Sequence, residues 1–238
     1  FAMAMDRRDR GQILSCDVHP HKLKLIDSGA QRLGITSIRT ALADAREEHA
    51  AWLEQADVVV ADVPCSGLGI IRKKPDIRYK NPRDLAQLPA IQGDILENAC
   101  RYVCPGGVLV YSTCTFAPEE DEAQVAAFLQ RHPEFALADV LGNVDYTFGS
   151  AGEENRTGGL SLDVSKVRRI WPCQGGEGHF MARLVKAGTP RTLPPEGEYT
   201  PEEQLWLAAA AQAGKKSKGK AAKPAKAADA RSARRADS

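Results

Sequence analysis

Two cysteines stand directly after apolar, β-branched runs, where a thiol is placed to react rather than to pack. Cys65 lies in the stretch Asp-Val-Pro-Cys-Ser-Gly that follows the run 58–61. Cys114 lies in Ser-Thr-Cys-Thr, which follows the run 108–111. Such runs predict strands of a parallel sheet buried on both faces, and ligands of these sheets gather at the strands' carboxyl ends. We therefore expect the two thiols to converge on one crevice, where a nearby cation can ionise a thiol.

The other cysteines and the competing roles for a thiol pair are weaker candidates. Buried, unreactive thiols are the expected state of most free cysteines, and we expect it for Cys16, Cys100 and Cys104, whereas Cys173 is undecided. A zinc site is disfavoured because the two thiols are far apart in sequence and no CxxC pair or matching histidine pair is present. A disulfide switch is possible but leaves the neighbouring Asp62 and Pro64 without a role.

Three acidic residues follow three successive predicted strands, and they form the candidate cofactor site. These are Asp17, Asp44 and Asp62. The acid that ends the second strand of a nucleotide-binding sheet accepts hydrogen bonds from a ribose diol, and an acid after the third strand commonly faces the adenine. A single aspartate after a strand is more often a helix cap or a turn residue. Three of them at successive strand ends favour one nucleoside ligand.

A basic segment over residues 72–80 follows the first of the two cysteines. Its candidate RNA-binding residues are Arg72, Lys73, Lys74 and Arg78, and Tyr79 is available for stacking on a base. Most runs of charge form a solvated surface. The position directly after a reactive thiol instead favours contact with an RNA backbone at the mouth of the site.

The elements that position these residues alternate between strand and helix. Strands are predicted at 12–16, 37–42, 58–61 and 108–111, and helices at 20–33, 45–55, 89–103 and 118–132. Two last strands, at 167–171 and 179–185, are close enough to pair as a hairpin. The sequence therefore predicts a doubly wound, mostly parallel α/β domain over residues 1–187. A closing antiparallel hairpin is typical of class I methyltransferases.

Composition limits the remaining parts of the chain. Residues 136–166 are weakly patterned, with a mobile loop expected at 149–159, and residues 188–213 predict a linker and a short helix. Residues 214–238 hold six Lys, three Arg and two Asp, which predicts a basic disordered tail. That tail has either a weak general affinity for nucleic acid or no role beyond solubility. No apolar run approaches the roughly 20 residues that cross a bilayer, so we expect a cytoplasmic protein with free thiols and no membrane contact.

The motifs around both cysteines resemble those of the RNA cytosine-5 methyltransferases, most closely the bacterial Sun/Fmu-type 16S rRNA enzymes. The stretches that carry the resemblance are DVPCSGLG at 62–69, RKKPDIR at 72–78 and GGVLVYSTCTFAPEE at 106–120. The segments 16–23 and 171–180 extend it, so that it covers about residues 1–187. The resemblance implies a class I methyltransferase fold, which is a Rossmann-like sheet closed by an antiparallel hairpin. It also implies that the enzyme uses S-adenosylmethionine as its methyl donor.

The resemblance also implies a role for each candidate residue. Cys114 would be the nucleophile that adds to cytosine C6, and Cys65 would act in the release step. Asp17 would hold the ribose of S-adenosylmethionine and Asp44 the adenine side, while Asp62 would face the methionine end or the cytosine ring. The partner would be 16S rRNA, and the target base would be a cytosine in an unpaired loop, which leaves its stack at low energetic cost. The protein would act as a monomer and would need no metal.

Two departures from the family pattern lead to further expectations. The family carries a glycine-rich cofactor loop on its first, central strand, and Phe1 stands just after the matching point. We therefore expect a gap between the strands at 12–16 and 58–61, and poor binding of S-adenosylmethionine by the chain alone. The NusB-type RNA-binding domain of these enzymes has no counterpart here.

Three other functions compete with this prediction. A tRNA or 23S rRNA substrate and a non-catalytic RNA-binding relative are the nearest alternatives. A nicotinamide-dependent oxidoreductase would use the same sheet but needs a G-x-G-x-x-G loop, which the sequence lacks.

Overall fold

The computed structural model describes residues 1–140, 149–174 and 176–191, and it consists of seven strands and five α-helices over that part of the chain. The strands are β1 (Ile13–Asp17), β2 (Ile38–Leu42), β3 (Ala56–Asp62), β4 (Val103–Thr113), β5 (Phe135–Ala138), β6 (Arg168–Ile170) and β7 (His179–Lys186). The helices are α1 (Ala2–Asp6), α2 (Pro20–Leu33), α3 (Pro82–Leu85), α4 (Leu88–Tyr102) and α5 (Glu122–Arg131). None of the helices in these described ranges is long and apolar enough to cross a membrane.

The strands form two separate sheets. Strands β1 and β2 pair in parallel, and a second sheet has the order β3-β4-β7-β5, with β6 added against β7. The β3–β4 pair is parallel, whereas β7 runs antiparallel to β4, β5 and β6. The predicted closing hairpin is confirmed as β6 and β7. These pairings give the alternating α/β architecture that the sequence predicts.

The expected gap lies between β1 and β3. No strand of the described residues pairs with the outer edge of β3, which is therefore an open edge of the larger sheet. Val58 and Val60 point to one face of β3 and are 51% and 46% exposed, although a central parallel strand normally buries both faces. The sheet is therefore discontinuous at the position that the sequence predicts.

The main core lies where α4 and α5 cover one face of the larger sheet. Leu96 of α4 and Phe128 of α5 pack with Leu109, Tyr111 and Phe180 of the sheet, all of them fully buried. The apolar positions of each helix recur at helical spacing, so one stripe faces the strands. This packing fixes the ends of β3 and β4 relative to the start of α5.

The predicted helix at 45–55 is wrong. Only a single 3₁₀ turn, Ala50–Trp52, forms there. The Asn98 side-chain amide donates to the carbonyl oxygens of Ala45 and Glu47, at 2.8 Å each. Because these carbonyls bond to α4, they are not used in helical hydrogen bonds, and a tertiary contact overrides the local periodicity.

Three further boundaries differ from the predictions. Val103 and the glycines after it do not close α4 but start β4, whose register against β3 shifts there. Strand β5 is an element that the sequence does not predict. Ser150, near the start of the loop at 149–159, exchanges two backbone hydrogen bonds with Arg169, with N–O distances of 2.8 and 2.9 Å, and the mobility of this loop stays a prediction. Most of the predicted linker and short helix, and all of the basic tail, lie outside the described residues.

A buried ionic cluster joins the hairpin to the start of α5. The guanidinium of Arg169, fully buried in β6, contacts Asp121 with an Nη1–Oδ2 distance of 3.0 Å and Glu122 with an Nε–Oε1 distance of 3.1 Å. Thr113, at the end of β4, donates to Asp121 Oδ1 at 2.6 Å. Burial raises the pKa of Asp121 to about 7. The cluster thus ties three elements together with charge that is compensated internally.

Replacing the central cation of this cluster should therefore destabilise the folded protein strongly. The substitution Arg169→Met removes the cation shared by Asp121 and Glu122 and leaves Glu122 with the more distant Arg156, at 3.6 Å. We expect it to lower the free energy of unfolding by about 3–5 kcal/mol in denaturant melts. Arg168→Met is the matched control, because the Arg168 guanidinium donates to the backbone carbonyls of Ser165 and Val167 at the surface. We expect it to change stability by about 0.5 kcal/mol or less. Equal losses in the two variants would contradict the role of the cluster.

Candidate active site

The ends of β3 and β4 carry the two predicted cysteines into one crevice. The parallel register pairs Asp62 with Ser112, so Cys65 and Cys114 leave the sheet side by side. The loop of Cys65 is held against that of Cys114 by a hydrogen bond from the Gly69 N–H to the Cys114 carbonyl, at 3.0 Å. The chain turns at Gly67, which has a φ of 75° that favours glycine.

The two thiols are in direct contact. The Sγ atoms of Cys65 and Cys114 lie 3.1 Å apart, and the Cys114 N–H donates to Cys65 Sγ at 3.3 Å. Both residues are partly exposed, so a substrate can reach them. The structure thus brings together the pair expected from the strand ends. Of the remaining cysteines, Cys100 and Cys104 are buried as expected, whereas Cys16 is exposed.

The contact makes the two thiols chemically unequal. The hydrogen bond from the Cys65 thiol lowers the pKa of Cys114 to about 7, and the Lys74 ammonium contributes in the same direction. The same hydrogen bond, together with burial, raises the pKa of Cys65. Cys114 is therefore the thiol of the pair that ionises more easily, while Cys65 tends to keep its proton. A thiolate of this kind is the reactive form of cysteine.

A buried hydrogen-bond network braces both cysteine loops, and sequence reasoning missed it. Glu120 Oε2 accepts from the Ser66 N–H and from the Gln92 side-chain amide, at 2.8 Å each. The hydroxyls of Ser66 and Thr115 are 2.7 Å apart and link the two loops. The sequence predicts the acids at 119–122 only as partners of a helix dipole. The sequence signal for this network is the run of four carboxylates at 119–122, which begins after the Phe-Ala-Pro that follows Thr-Cys-Thr.

Two of the three predicted cofactor carboxylates lie at the end of the β1–β2 sheet. Asp17 Oδ1 accepts from the His19 N–H at 2.8 Å, and Asp44 Oδ1 accepts from the Arg46 N–H at 2.9 Å. Both are hydrogen bonds to the backbone two residues on, as in a simple turn. Partial burial opposes ionisation of Asp17, but the His19 N–H and Lys22 outweigh it and hold its pKa below the ordinary value. The side-chain hydrogen bond from Arg46 lowers the pKa of Asp44.

The third carboxylate, Asp62, lies in the other sheet. Its Oδ1 accepts from the Ser112 hydroxyl at 3.1 Å, beside the cysteine loops. Two of the acids therefore stand at the end of the smaller sheet, and one stands at the end of the larger sheet beside the cysteine loops. Their roles toward a nucleoside stay predictions.

The basic segment is a folded turn and not an open loop. A 3₁₀ turn spans Pro75–Tyr79, and Ile77 is buried beneath it. Arg72, Lys74 and Arg78 are exposed, and the Tyr79 side chain is 86% exposed. The buried anchor fixes the turn beside Cys65 while it leaves the cations and the aromatic ring on the surface.

The loop of the β6–β7 hairpin closes over this segment. Lys73 pairs with Glu177 at 2.7 Å, and the Gly178 N–H donates to the Gly69 carbonyl at 2.9 Å. A Cβ atom on Gly69 would lie 2.1 Å from the Gly178 oxygen, so only glycine fits this approach. The hairpin therefore forms one wall of the thiol crevice, and Lys73 is partly neutralised there.

The fold is that of a class I methyltransferase, as the sequence predicts. The chain belongs to the 16S rRNA methyltransferase RsmB/F family, whose family model matches residues 2–185. The resemblance that the motifs indicated is thereby confirmed at the level of the family.

Three relatives show the extent of the similarity. The chain is 45% identical over 130 residues to the probable ribosomal RNA small subunit methyltransferase B of Bacillus subtilis, covering 54% of this chain and 29% of that protein. It is 34% identical over 185 residues to ribosomal RNA small subunit methyltransferase B of Salmonella arizonae, covering 76% and 38%. The crystal structure of NSun6 from Pyrococcus horikoshii with SFG matches with a TM-score of 0.65 and 25% identity, covering 79% and 44%. The chain thus spans less than half the length of each relative.

The inequality of the two thiols predicts their alkylation profile. Because only the thiolate reacts, the rate of Cys114 alkylation by iodoacetamide should rise with pH and reach half its maximum near pH 7. Cys65→Ala removes the hydrogen-bond donor and should move that midpoint upward, toward the ordinary thiol value of 9.0. Peptide mass spectrometry measures each site separately. Cys173→Ala, which alters an exposed thiol in the hairpin loop, should leave the Cys114 midpoint unchanged. An unchanged midpoint in Cys65→Ala would contradict the hydrogen bond.

Proposed function

We propose that this chain is the catalytic region of an enzyme that transfers a methyl group from S-adenosylmethionine to C5 of a cytosine in 16S rRNA. The observation that carries the proposal is the Cys65–Cys114 pair, with Sγ atoms 3.1 Å apart, in a member of the RsmB/F family. The curated relatives are ribosomal RNA small subunit methyltransferases by name, which supports the same substrate class.

The reaction needs a nucleophile because cytosine C5 is itself unreactive. The Cys114 thiolate forms a bond to C6, and the electrons of the C5–C6 double bond make C5 an enamine carbon. When bound, S-adenosylmethionine supplies the electrophilic methyl group that C5 attacks. The C5 proton must then leave to a base, its bonding electrons restore the double bond, and the S–C6 bond breaks to return the thiolate. The lowered pKa of Cys114 prepares it for the first step.

The position of Cys65 supports a role in the last steps. Its pKa is raised because it hydrogen-bonds to Cys114, so it holds its proton while Cys114 is a thiolate. Once Cys114 is bonded to carbon, that negative charge is gone and ionisation of Cys65 becomes easier. The Cys65 thiol can then lose its proton to solvent, and the thiolate that results is able to accept the C5 proton at the stage when it has to be removed. The interaction between the two thiols thus makes Cys65 available as a base only after Cys114 has formed its bond to the cytosine.

The carboxylates at the strand ends supply acceptors for a nucleoside. A carboxylate offers about four lone-pair positions, and in Asp17 one oxygen accepts a single amide hydrogen bond while the other faces Lys22 at 3.2 Å. Acceptor capacity therefore remains for a ribose diol. In this proposal Asp17 binds the ribose of S-adenosylmethionine, Asp44 the adenine side, and Asp62 the methionine end or the cytosine ring.

The surface beside the crevice supports an RNA substrate. Arg72, Lys73, Lys74 and Arg78 follow Cys65, and the charge of Lys74 already acts on Cys114. The exposed ring of Tyr79 offers a stacking platform. A target cytosine in an unpaired loop would reach the crevice at the lowest cost, because it has no partner to leave.

The covalent step gives the decisive experiment. The chain should be joined to the N-terminal region of its Bacillus subtilis relative and incubated with 16S rRNA and S-adenosylmethionine. We expect the Cys65→Ala variant to accumulate a protein–RNA adduct that survives denaturation, because release is blocked. Adding Cys114→Ala should abolish the adduct, and Cys114→Ala alone should lower methylation on the order of 10³-fold or more.

The controls separate the competing functions. Cys173→Ala should methylate the RNA without accumulating an adduct. An adduct that persists without Cys114 would overturn its assignment as nucleophile. Methylation of tRNA or 23S rRNA in place of 16S rRNA would correct the substrate, and RNA binding without methylation would identify a non-catalytic relative.

The basic segment should contribute electrostatic affinity for RNA. We expect Lys74→Gln and Arg78→Gln to weaken binding and to reduce the slope of log K against log salt by about 0.7 per lost phosphate contact on single-stranded RNA. Filter binding over a salt series measures both quantities. Lys24→Gln, on the exposed face of α2, is the matched control and should leave the slope unchanged. Equal slopes in all variants would show that the segment does not contact phosphates.

A further inference from the structure

The strongest unassigned feature is the buried carboxylate of Glu120. The residue is 4% exposed and ends the 3₁₀ turn Pro118–Glu120 that precedes α5. Its backbone carbonyl accepts from the hydroxyl of Tyr111, fully buried in β4, at 2.6 Å. The main chain at Glu120 is therefore fixed to the core of the sheet, and its side chain extends from a rigid base.

The carboxylate holds the peptide units on both sides of Cys65. On one side, Oε2 accepts directly from the Ser66 N–H at 2.8 Å. On the other side, the Gln92 amide donates to the same oxygen at 2.8 Å and to the Pro64 carbonyl at 2.9 Å. The backbone of Cys65 is therefore clamped from a single point.

The residue after Cys65 is fixed by each of its polar groups. Besides its N–H, the Ser66 carbonyl accepts from Lys80 Nζ at 2.8 Å, and its hydroxyl bonds to Thr115 on the loop of Cys114. Because its N–H, its carbonyl and its hydroxyl are each hydrogen-bonded to a different residue, Ser66 has little conformational freedom. Because Cys65 is the adjacent residue, the position of its Sγ follows from this arrangement.

We propose that Glu120 is a positioning residue that holds Cys65 Sγ in contact with Cys114 Sγ and thereby sets the rate of the release step. The assignment to the release step rests on the proposed function. The thiol contact itself does not depend on that function. A displacement of about 1 Å at a reacting group costs on the order of 10²-fold in rate, so a clamp on the Cys65 loop has a measurable effect.

Three substitutions test the proposal. Glu120→Met removes the acceptor, Glu120→Gln keeps a carbonyl oxygen that can occupy the position of Oε2, and Gln92→Met removes the link to Pro64 while it leaves the acceptor for Ser66. Gln124→Met is the matched control, since Gln124 is also buried and donates to the Pro89 carbonyl at 2.6 Å but contacts neither cysteine loop. Thermal melts of the variants establish that each is folded.

The first readout is the pH profile of Cys114 alkylation, which needs neither RNA nor cofactor. Glu120→Met should shift the midpoint upward, as Cys65→Ala does, because Cys65 no longer donates to the Cys114 thiolate. Gln92→Met should shift it in the same direction by less. Glu120→Gln and Gln124→Met should retain the midpoint of the unmodified chain. A structural role alone would lower stability without moving this midpoint.

The second readout is the fate of the covalent adduct in the N-terminally extended protein. Glu120→Met should form the adduct and release it about 10- to 100-fold more slowly, with KM for RNA unchanged, and Glu120→Gln should restore release. A folded Glu120→Met with unchanged midpoint and release rate would overturn the proposal, and if that variant does not fold, an unchanged Gln92→Met would do so. Absence of any adduct in Cys65→Ala would instead overturn the proposed function, while the alkylation profile would still decide the role of Glu120.

Discussion

The contact between the Cys65 and Cys114 thiols depends on the parallel register of β3 and β4. Asp62 lies beside Ser112, and the two cysteines follow within three residues of that pair. A slip of one residue would turn every side chain of a strand to the opposite face and separate the thiols. The packing of α4 and α5 against this part of the sheet holds β3 and β4 in that register. It therefore maintains the 3.1 Å contact between the Sγ atoms of Cys65 and Cys114.

Three consecutive buried acids at the start of α5 carry this constraint into the rest of the fold. Glu120 reaches the loop of Cys65, Asp121 reaches Thr113 at the end of β4, and Glu122 reaches Arg169 in β6. Burying charge is costly, and all three carboxylates are compensated: Glu120 accepts from Ser66 and Gln92, while Asp121 and Glu122 share the guanidinium of Arg169. The same short segment thus joins the β3 loop, the β4 strand end and the hairpin.

Hydrophobic patterns in the sequence predict the strands and helices that are determined by residues close together in the chain. The strands predicted from the β-branched runs of β3 and β4 and the helix predicted at 20–33 are confirmed. The convergence of the thiols follows from the rule that parallel strands deliver their ends to one edge. The helix predicted at 45–55 fails because Asn98, about fifty residues away, takes its carbonyls. The network around Glu120 was missed for the same reason: its partners Ser66 and Gln92 are distant in sequence, so no periodicity reveals them.

The break between β1 and β3 separates the site into two parts with different dependence on the fold. The thiol pair and its bracing network lie within β3, β4, α4 and the start of α5. Asp17 and Asp44 lie in the smaller sheet, which is joined to α4 through the Trp52–Tyr102 contact and the Asn98 hydrogen bonds. Because no strand pairing within the described ranges connects the two sheets, the geometry of the thiols does not depend on that of the carboxylates. The contact between the two thiols is therefore made within the larger sheet, whereas Asp17 and Asp44 are positioned by the smaller one.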